Sequence, residues 1–313
     1  MSKIAFVFAG QGAQYVGMGK KLYDEFDCCK DIFKRADEAL GFKISDLCFE
    51  GSKEELDKTE NTQPAILAVS TAAMAVVMEK GIRPDVVAGL SLGEYTAHIC
   101  SGTFDFEKAI KLVKKRGKYM QEAVPEGKGT MAAVLGLDRE VIKEVLEECK
   151  SFGIVEIANY NCPGQIVIAG EVKAVEIAAE KLKEKGARKV VMLSVSGPFH
   201  TSMLNSAAKK LTCELEEISI GKMNIPIITN VTGDYIKSES EVKDLLRRQV
   251  MSSVLWEDSI RRMINDGVDT FIELGPGKTL TMFIKKIDRS VKVFNVEDVE
   301  GLNKLNCDLK ERL

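Results

Sequence analysis

Short apolar runs bounded by glycine turns punctuate the chain: Lys3 to Phe8, Asp85 to Ala88, Asn224 to Asn230 and Val268 to Leu274. Runs of this kind predict buried strands. Helical patterns separate them. Thr62 is placed to cap a helix that has Pro64 in its first turn and stops at Gly81, and Glu94 to Cys100 predicts another. Strands and helices in alternation imply a mostly parallel sheet with helices on both faces, an α/β fold.

From about Gly129 the pattern changes. Met131 to Leu135, Ile154 to Asn159, Gln165 to Ala169 and Lys189 to Ser194 predict strands, while Arg139 to Lys150 and Val172 to Gly186 predict helices. The order is β-α-β-β-α-β, the ferredoxin-like split pattern, short enough to be an insertion in the larger α/β domain.

At 313 residues, 45% hydrophobic and 29% charged, the chain can bury a large core. The longest apolar stretch, Pro64 to Met78, is too short for a membrane span, and Ile4 to Ala9 is too short for a signal core, so a cytoplasmic protein is expected. Eight scattered cysteines, with only Cys28 and Cys29 adjacent and no zinc spacing, predict reduced thiols and no metal. The net charge of -3 argues against a general nucleic-acid binder.

Two glycine-rich loops fail the phosphate-binding tests. Tyr15 occupies the third glycine position after Gly10-Gln11-Gly12, and Ile272 stands where a P-loop before Gly277-Lys278-Thr279 requires glycine. Gly89-Leu90-Ser91-Leu92-Gly93 is different. It is a G-x-S-x-G pentapeptide between a predicted strand and a predicted helix, the layout that pushes a serine hydroxyl out of a sharp turn for acyl transfer. Such a hydroxyl needs a base, and the chain has two histidines. His98 lies two turns into the helix that follows Ser91, which suits packing. His200, where the chain leaves the inserted segment, is the better base. Asp105 and Asp138 sit where helices begin and suit capping, so the partner that orients His200 is expected to be a backbone carbonyl, leaving a Ser-His dyad.

Several motifs now combine: Phe8 to Gln14, Thr62-Gln63-Pro64-Ala65, Gly89 to Tyr95, Arg116 to Gln121, Asn161 to Gln165, Pro198-Phe199-His200 and Glu273 to Gly277. In this combination the chain resembles the malonyl-CoA:acyl carrier protein transacylases, nearly end to end. The resemblance implies an α/β-hydrolase-like core, residues 1–126 and 197–313, with the ferredoxin-like subdomain at 127–196. It makes Ser91 the nucleophile, His200 the base, the Gln11 and Leu92 backbone amides the oxyanion hole, and Gln249 the residue whose carbonyl orients the histidine. Arg116 would grip the malonyl carboxylate, although by its neighbours alone it could belong to the solvated basic face of Lys111, Lys114, Lys115 and Lys118. Phe199 would exclude methyl-branched acyl groups, and Gln63, Asn159 and Asn161 would line the pocket. Leu90 departs from the family, which commonly has histidine before the nucleophile.

The implied partners are malonyl-CoA, a substrate rather than a cofactor, and acyl carrier protein, with no nucleic acid and no membrane. The implied activity is malonyl transfer through Ser91 in fatty acid biosynthesis. An esterase passing the acyl group to water and a carrier-binding scaffold without chemistry are the alternatives.

Overall fold

Lys3–Phe8 forms β1, the middle of a five-stranded parallel sheet whose order is β7-β2-β1-β8-β9. The other strands are β2 (Val86–Gly89), β7 (Ile227–Ile228), β8 (Val268–Leu274) and β9 (Lys292–Val296). The computed structural model describes residues 2–193, 195 and 197–310. Period-two alternation sends Phe6 and Phe8 to one core and Ala5 and Val7 to another, so β1 is covered on both faces as its apolar run requires. Thr59–Glu79 and Phe106–Glu122 pack over the first face, while Trp256–Asn265 and Thr279–Ile287 cover the second.

The helix expected to start at Thr62 begins earlier, at Thr59. Thr62 lies inside it and donates its hydroxyl to the Leu56 and Lys58 carbonyls instead of capping the end. Pro64 therefore falls in the second turn, where it removes one helical donor. The full helix Thr59–Glu79 is long and apolar enough to cross a bilayer, which the stretch from Pro64 understated, and 83% of its apolar window is buried in the fold. The strand expected from Asn224 to Asn230 shrinks to Ile227–Ile228. Pro226 has no N–H for the ladder, and the chain turns back at Gly233, whose φ is +64°.

The second sheet is antiparallel, ordered β4-β5-β3-β6, from β3 (Gly129–Leu135), β4 (Val155–Cys162), β5 (Gln165–Glu171) and β6 (Lys189–Met192). This is the ferredoxin-like arrangement that the sequence predicts. The last strand was expected to reach Ser194; that residue, like Ser196, lies outside the described residues. Ile166 and Ile168 point to this sheet's own helices, Arg139–Cys149 and Val172–Glu184, whereas Val167 and Ala169 join the core of the larger unit. The small sheet is thus clamped on both faces. Of the two expected caps, Asp105 accepts the Lys108 N–H at 3.2 Å, and Asp138 holds the N-cap position without a side-chain capping bond.

The parallel strands aim their C-terminal ends at one crevice, as open α/β sheets do. β1 leads into Ala9 to Gln14 and β2 into Ser91. Backbones meet there at the limit of contact: a Cβ on Gly89 would lie 1.9 Å from the Gly93 carbonyl carbon, and one on Gly93 would lie 2.1 Å from the Phe8 oxygen. Only glycine fits either place. Gly89→Ala is expected to lower folding stability by about 3 kcal/mol or more, seen as a drop in urea midpoint at unchanged slope. A loss below about 1 kcal/mol would show that the elbow can relax around a methyl group.

Candidate active site

Ser91 and His200 are the two non-glycine residues with positive φ among the described residues, at 54° and 62°. Backbone strain of this kind persists where surrounding contacts enforce it. For Ser91 those contacts are the glycine packing at the elbow and its N–H bond to Asn230 Oδ1 at 2.6 Å. His200 is held by the turn at Pro198, whose carbonyl accepts the Thr201 hydroxyl at 2.7 Å.

These backbones bring Ser91 Oγ within 2.8 Å of His200 Nε2, across 109 residues of sequence. His200 Nδ1 lies 2.8 Å from the Gln249 carbonyl oxygen. A carbonyl only accepts, so Nδ1 carries the hydrogen, Nε2 is the bare acceptor and the serine hydroxyl donates to it. Burial first, and the Arg116 charge second, push the His200 pKa down to about 4, which keeps the ring neutral at ordinary pH. His98 is elsewhere. It is wholly buried, stacked on Phe104, bonded to Thr103 Oγ1 at 2.8 Å and pushed down to about 3 by burial, which makes it a packing residue.

Arg116 does not belong to the lysine face. Its helix buries Ala109, Ile110, Leu112, Val113, Arg116, Gly117 and Met120, the spacing of one stripe, and Arg116 is 1% exposed. Gly117 lets that stripe close on the Thr59–Glu79 helix, since a Cβ there would lie 2.5 Å from the Thr59 oxygen. The guanidinium donates to Gln63 Oε1 at 2.7 Å, Gln249 Oε1 at 2.9 Å and Ser91 Oγ at 3.2 Å, and lies 5.2 Å from the Tyr95 ring centroid. All three oxygens are uncharged. A buried cation held by neutral acceptors thus lies directly beside the Ser91 hydroxyl.

A cleft of about 630 Å³ opens over Ser91. Gln11, Leu90, Asn159, Asn161, Phe199 and His200 line it, together with Leu280 and Phe283 on the far side. Leu92 precedes the helix Gly93–Ser101, so its N–H has no acceptor within that helix. Gln63 is fully buried behind Arg116 rather than on the cleft wall. Among the described residues no cluster of three histidine, cysteine or acidic side chains could hold a metal, and all eight cysteines are free thiols.

Two residues of this constellation escaped the sequence reading. Asn230, expected only as the end of a strand from Asn224, donates Nδ2 to the Gly89 carbonyl at 2.7 Å as well as accepting from Ser91. Glu94, fully buried one residue past the elbow, accepts from Gln249 Nε2 at 2.7 Å and from the Asn230 N–H at 3.0 Å. A carboxylate at the start of an otherwise apolar helix was the available signal for Glu94. For Asn230 no local signal exists.

The family model described as an acyl transferase domain matches residues 5–311. A Bacillus subtilis protein named malonyl CoA-acyl carrier protein transacylase is 47% identical over 99% of this chain and 98% of its own length. The crystal structure of a malonyl CoA-acyl carrier protein transacylase from Clostridium perfringens superimposes with a TM-score of 0.97 at 50% identity, covering 99% of this chain and 98% of the other. A solved complex of a type II PKS acyl-carrier protein with its malonyl-transacylase matches with a TM-score of 0.94 at 41% identity, over 97% of this chain and 98% of that one. The chain therefore belongs to the acyl transferase domain family, alongside its malonyl CoA-acyl carrier protein transacylases.

Proposed function

We propose that this chain moves malonyl from malonyl-CoA to Ser91 and on to the phosphopantetheine thiol of acyl carrier protein, for fatty acid biosynthesis. One observation carries the reading: Ser91 Oγ touches both a neutral imidazole, at 2.8 Å, and a buried guanidinium, at 3.2 Å. The first suits proton removal and the second suits an acyl group ending in a carboxylate. Relatives named for this activity support the choice of malonyl.

As Oγ attacks the thioester carbonyl, its proton passes to His200 Nε2. The Gln11 and Leu92 amides receive the developing oxyanion, a contribution of about 3 kcal/mol for each such donor. Collapse expels the coenzyme A thiolate, which takes the proton back. The second half runs in reverse with the carrier thiol, so protons and electrons balance without a redox or metal cofactor. Gln249 holds the imidazole through its carbonyl, Gln63 braces Arg116, and Asn159 and Asn161 present amides to the acyl chain. Phe199 occupies the space of an α-methyl branch, worth about 1 to 3 kcal/mol of selection. A carboxylate paired with Arg116 also offsets the charge that depresses His200, so malonyl binding strengthens the base.

The seam between a core of residues 1–126 and 197–313 and a subdomain of residues 127–196 is where we place substrate entry; the cleft lining, drawn from both sheets, supports this. A cytoplasmic setting suits the free thiols.

Intact-protein mass spectrometry after exposure to malonyl-CoA is expected to find one malonyl adduct, absent in Ser91→Ala, that carrier protein discharges faster than water does. Rapid hydrolysis in the presence of carrier would make the chain an esterase instead. Arg116→Ala is expected to slow malonyl loading by roughly two to four orders of magnitude, the equivalent of about 3 to 5 kcal/mol, and to spare acetyl loading. Equal losses for the two acyl groups would remove Arg116 from carboxylate recognition.

Because the base works only when neutral, kcat/KM for malonyl loading is expected to fall as pH drops through about 4, rather than through the ordinary 6.5. Folding stability follows the same sign. Both histidines have pKa values depressed in the fold, so the unfolded chain binds their protons first, and stability present above pH 6.5 is lost as pH falls toward about 3. Urea midpoints measured at pH 7 and pH 5 check this, and equal midpoints would contradict it.

A further inference from the structure

Glu94 takes no direct part in the mechanism above, yet among the described residues it is the one acidic side chain hydrogen-bonded to that machinery. Its carboxylate is fully buried. Burial raises its pKa, opposed by the hydrogen bonds from Gln249 and the Asn230 backbone. Its Oε2 acts as the acceptor of both bonds. Gln249 must therefore turn its NH2 toward Glu94 Oε2, at 2.7 Å, and this turns its amide oxygen toward Arg116 Nη2, at 2.9 Å. A flipped amide would set acceptor against acceptor at Glu94 and donor against donor at Arg116. The same NH2 reaches the Ser91 carbonyl at 2.9 Å, and the same residue's backbone oxygen holds His200. On the other side, Glu94 Oε2 takes the N–H of Asn230, the residue that shapes the elbow. Glu94 and Arg116 are thus linked through a single amide.

We propose that Glu94 is the positioning residue of this site: it dictates the orientation of Gln249, and through it the placement of His200 and Arg116, and it is the resting counter-charge of Arg116. An incoming acyl carboxylate then shares Arg116 with Glu94, so the charge of Glu94 tempers malonyl affinity while its hydrogen bonds sustain turnover.

Two substitutions separate these effects. Glu94→Ala removes both acceptor bonds and is expected to lower kcat for malonyl and acetyl transfer alike, by about ten- to a hundredfold. Glu94→Gln keeps an oxygen facing Gln249 and Asn230 and removes only the charge, so it is expected to rescue most of that loss. In the Ser91→Ala background, which prevents turnover, Glu94→Gln is expected to tighten the calorimetric Kd of malonyl-CoA roughly tenfold and leave that of acetyl-CoA unmoved. A tenfold change is the scale of one charge acting across an amide at an effective dielectric of about 20. The proposal is overturned if Glu94→Ala turns over at the wild-type rate, if Glu94→Gln is no better than Glu94→Ala, or if the two Kd values move together or not at all. Should Glu94→Ala fail to fold, the Kd comparison with Glu94→Gln decides by itself. The inference rests on Ser91 being malonylated. A wild-type chain without the adduct defeats that reading, whereas an adduct with unaltered Glu94→Gln binding defeats this one alone.

Discussion

The hydrogen bond from His200 Nδ1 to the Gln249 carbonyl is the contact on which the chemistry depends. It leaves Nε2 unprotonated and aimed at Ser91, which no property of the histidine alone would guarantee. In hydrolase triads a carboxylate does this work and also stabilises the imidazolium. Here the partner is a neutral carbonyl, and the nearest charge acting on the ring is the Arg116 cation, so the free site favours a neutral base. That arrangement suits a transferase. Both half-reactions of acyl transfer can then begin from a neutral imidazole.

Burying Arg116 would be costly if its neighbours were apolar, because an unpaired cation away from water carries a desolvation penalty of several kcal/mol. Gln63, Gln249 and the Tyr95 ring reduce that cost without neutralising the charge. The guanidinium thus keeps its charge next to Ser91. Its rigidity comes from packing: the helix that carries it closes on Thr59–Glu79 through Gly117, and both helices sit on the parallel sheet.

The small antiparallel sheet is part of this packing. Because alternate residues of β5 face opposite cores, the sheet is bound to the larger unit by the same side chains that give it a second face. Asn159 and Asn161 on β4 and the loop carrying Phe199 and His200 are therefore delivered to the cleft by a scaffold fixed at both sides.

Much of this was legible in the residues. Apolar runs of four to seven residues gave every strand but Lys292–Val296, the βαββαβ order gave the second sheet, and glycines on both sides of Ser91 gave the elbow, because each is a local steric or periodic demand. Local patterns misled where a tertiary contact outweighed them. Thr62 has the chemistry of a cap but spends its hydroxyl on carbonyls of the preceding turn, and Arg116, among four lysines, is the one basic side chain of its helix on the buried stripe. The sequence by itself determined which groups could react and which backbone turns could present them. Only the tertiary structure decided that Asn230, Glu94 and Gln249 form one hydrogen-bonded unit beneath Ser91, since a bond between residues 155 positions apart leaves no trace in local spacing. The physical reason is that hydrogen-bond partners are selected by the packing of whole elements, and that packing exists only once both sheets have closed on a shared core.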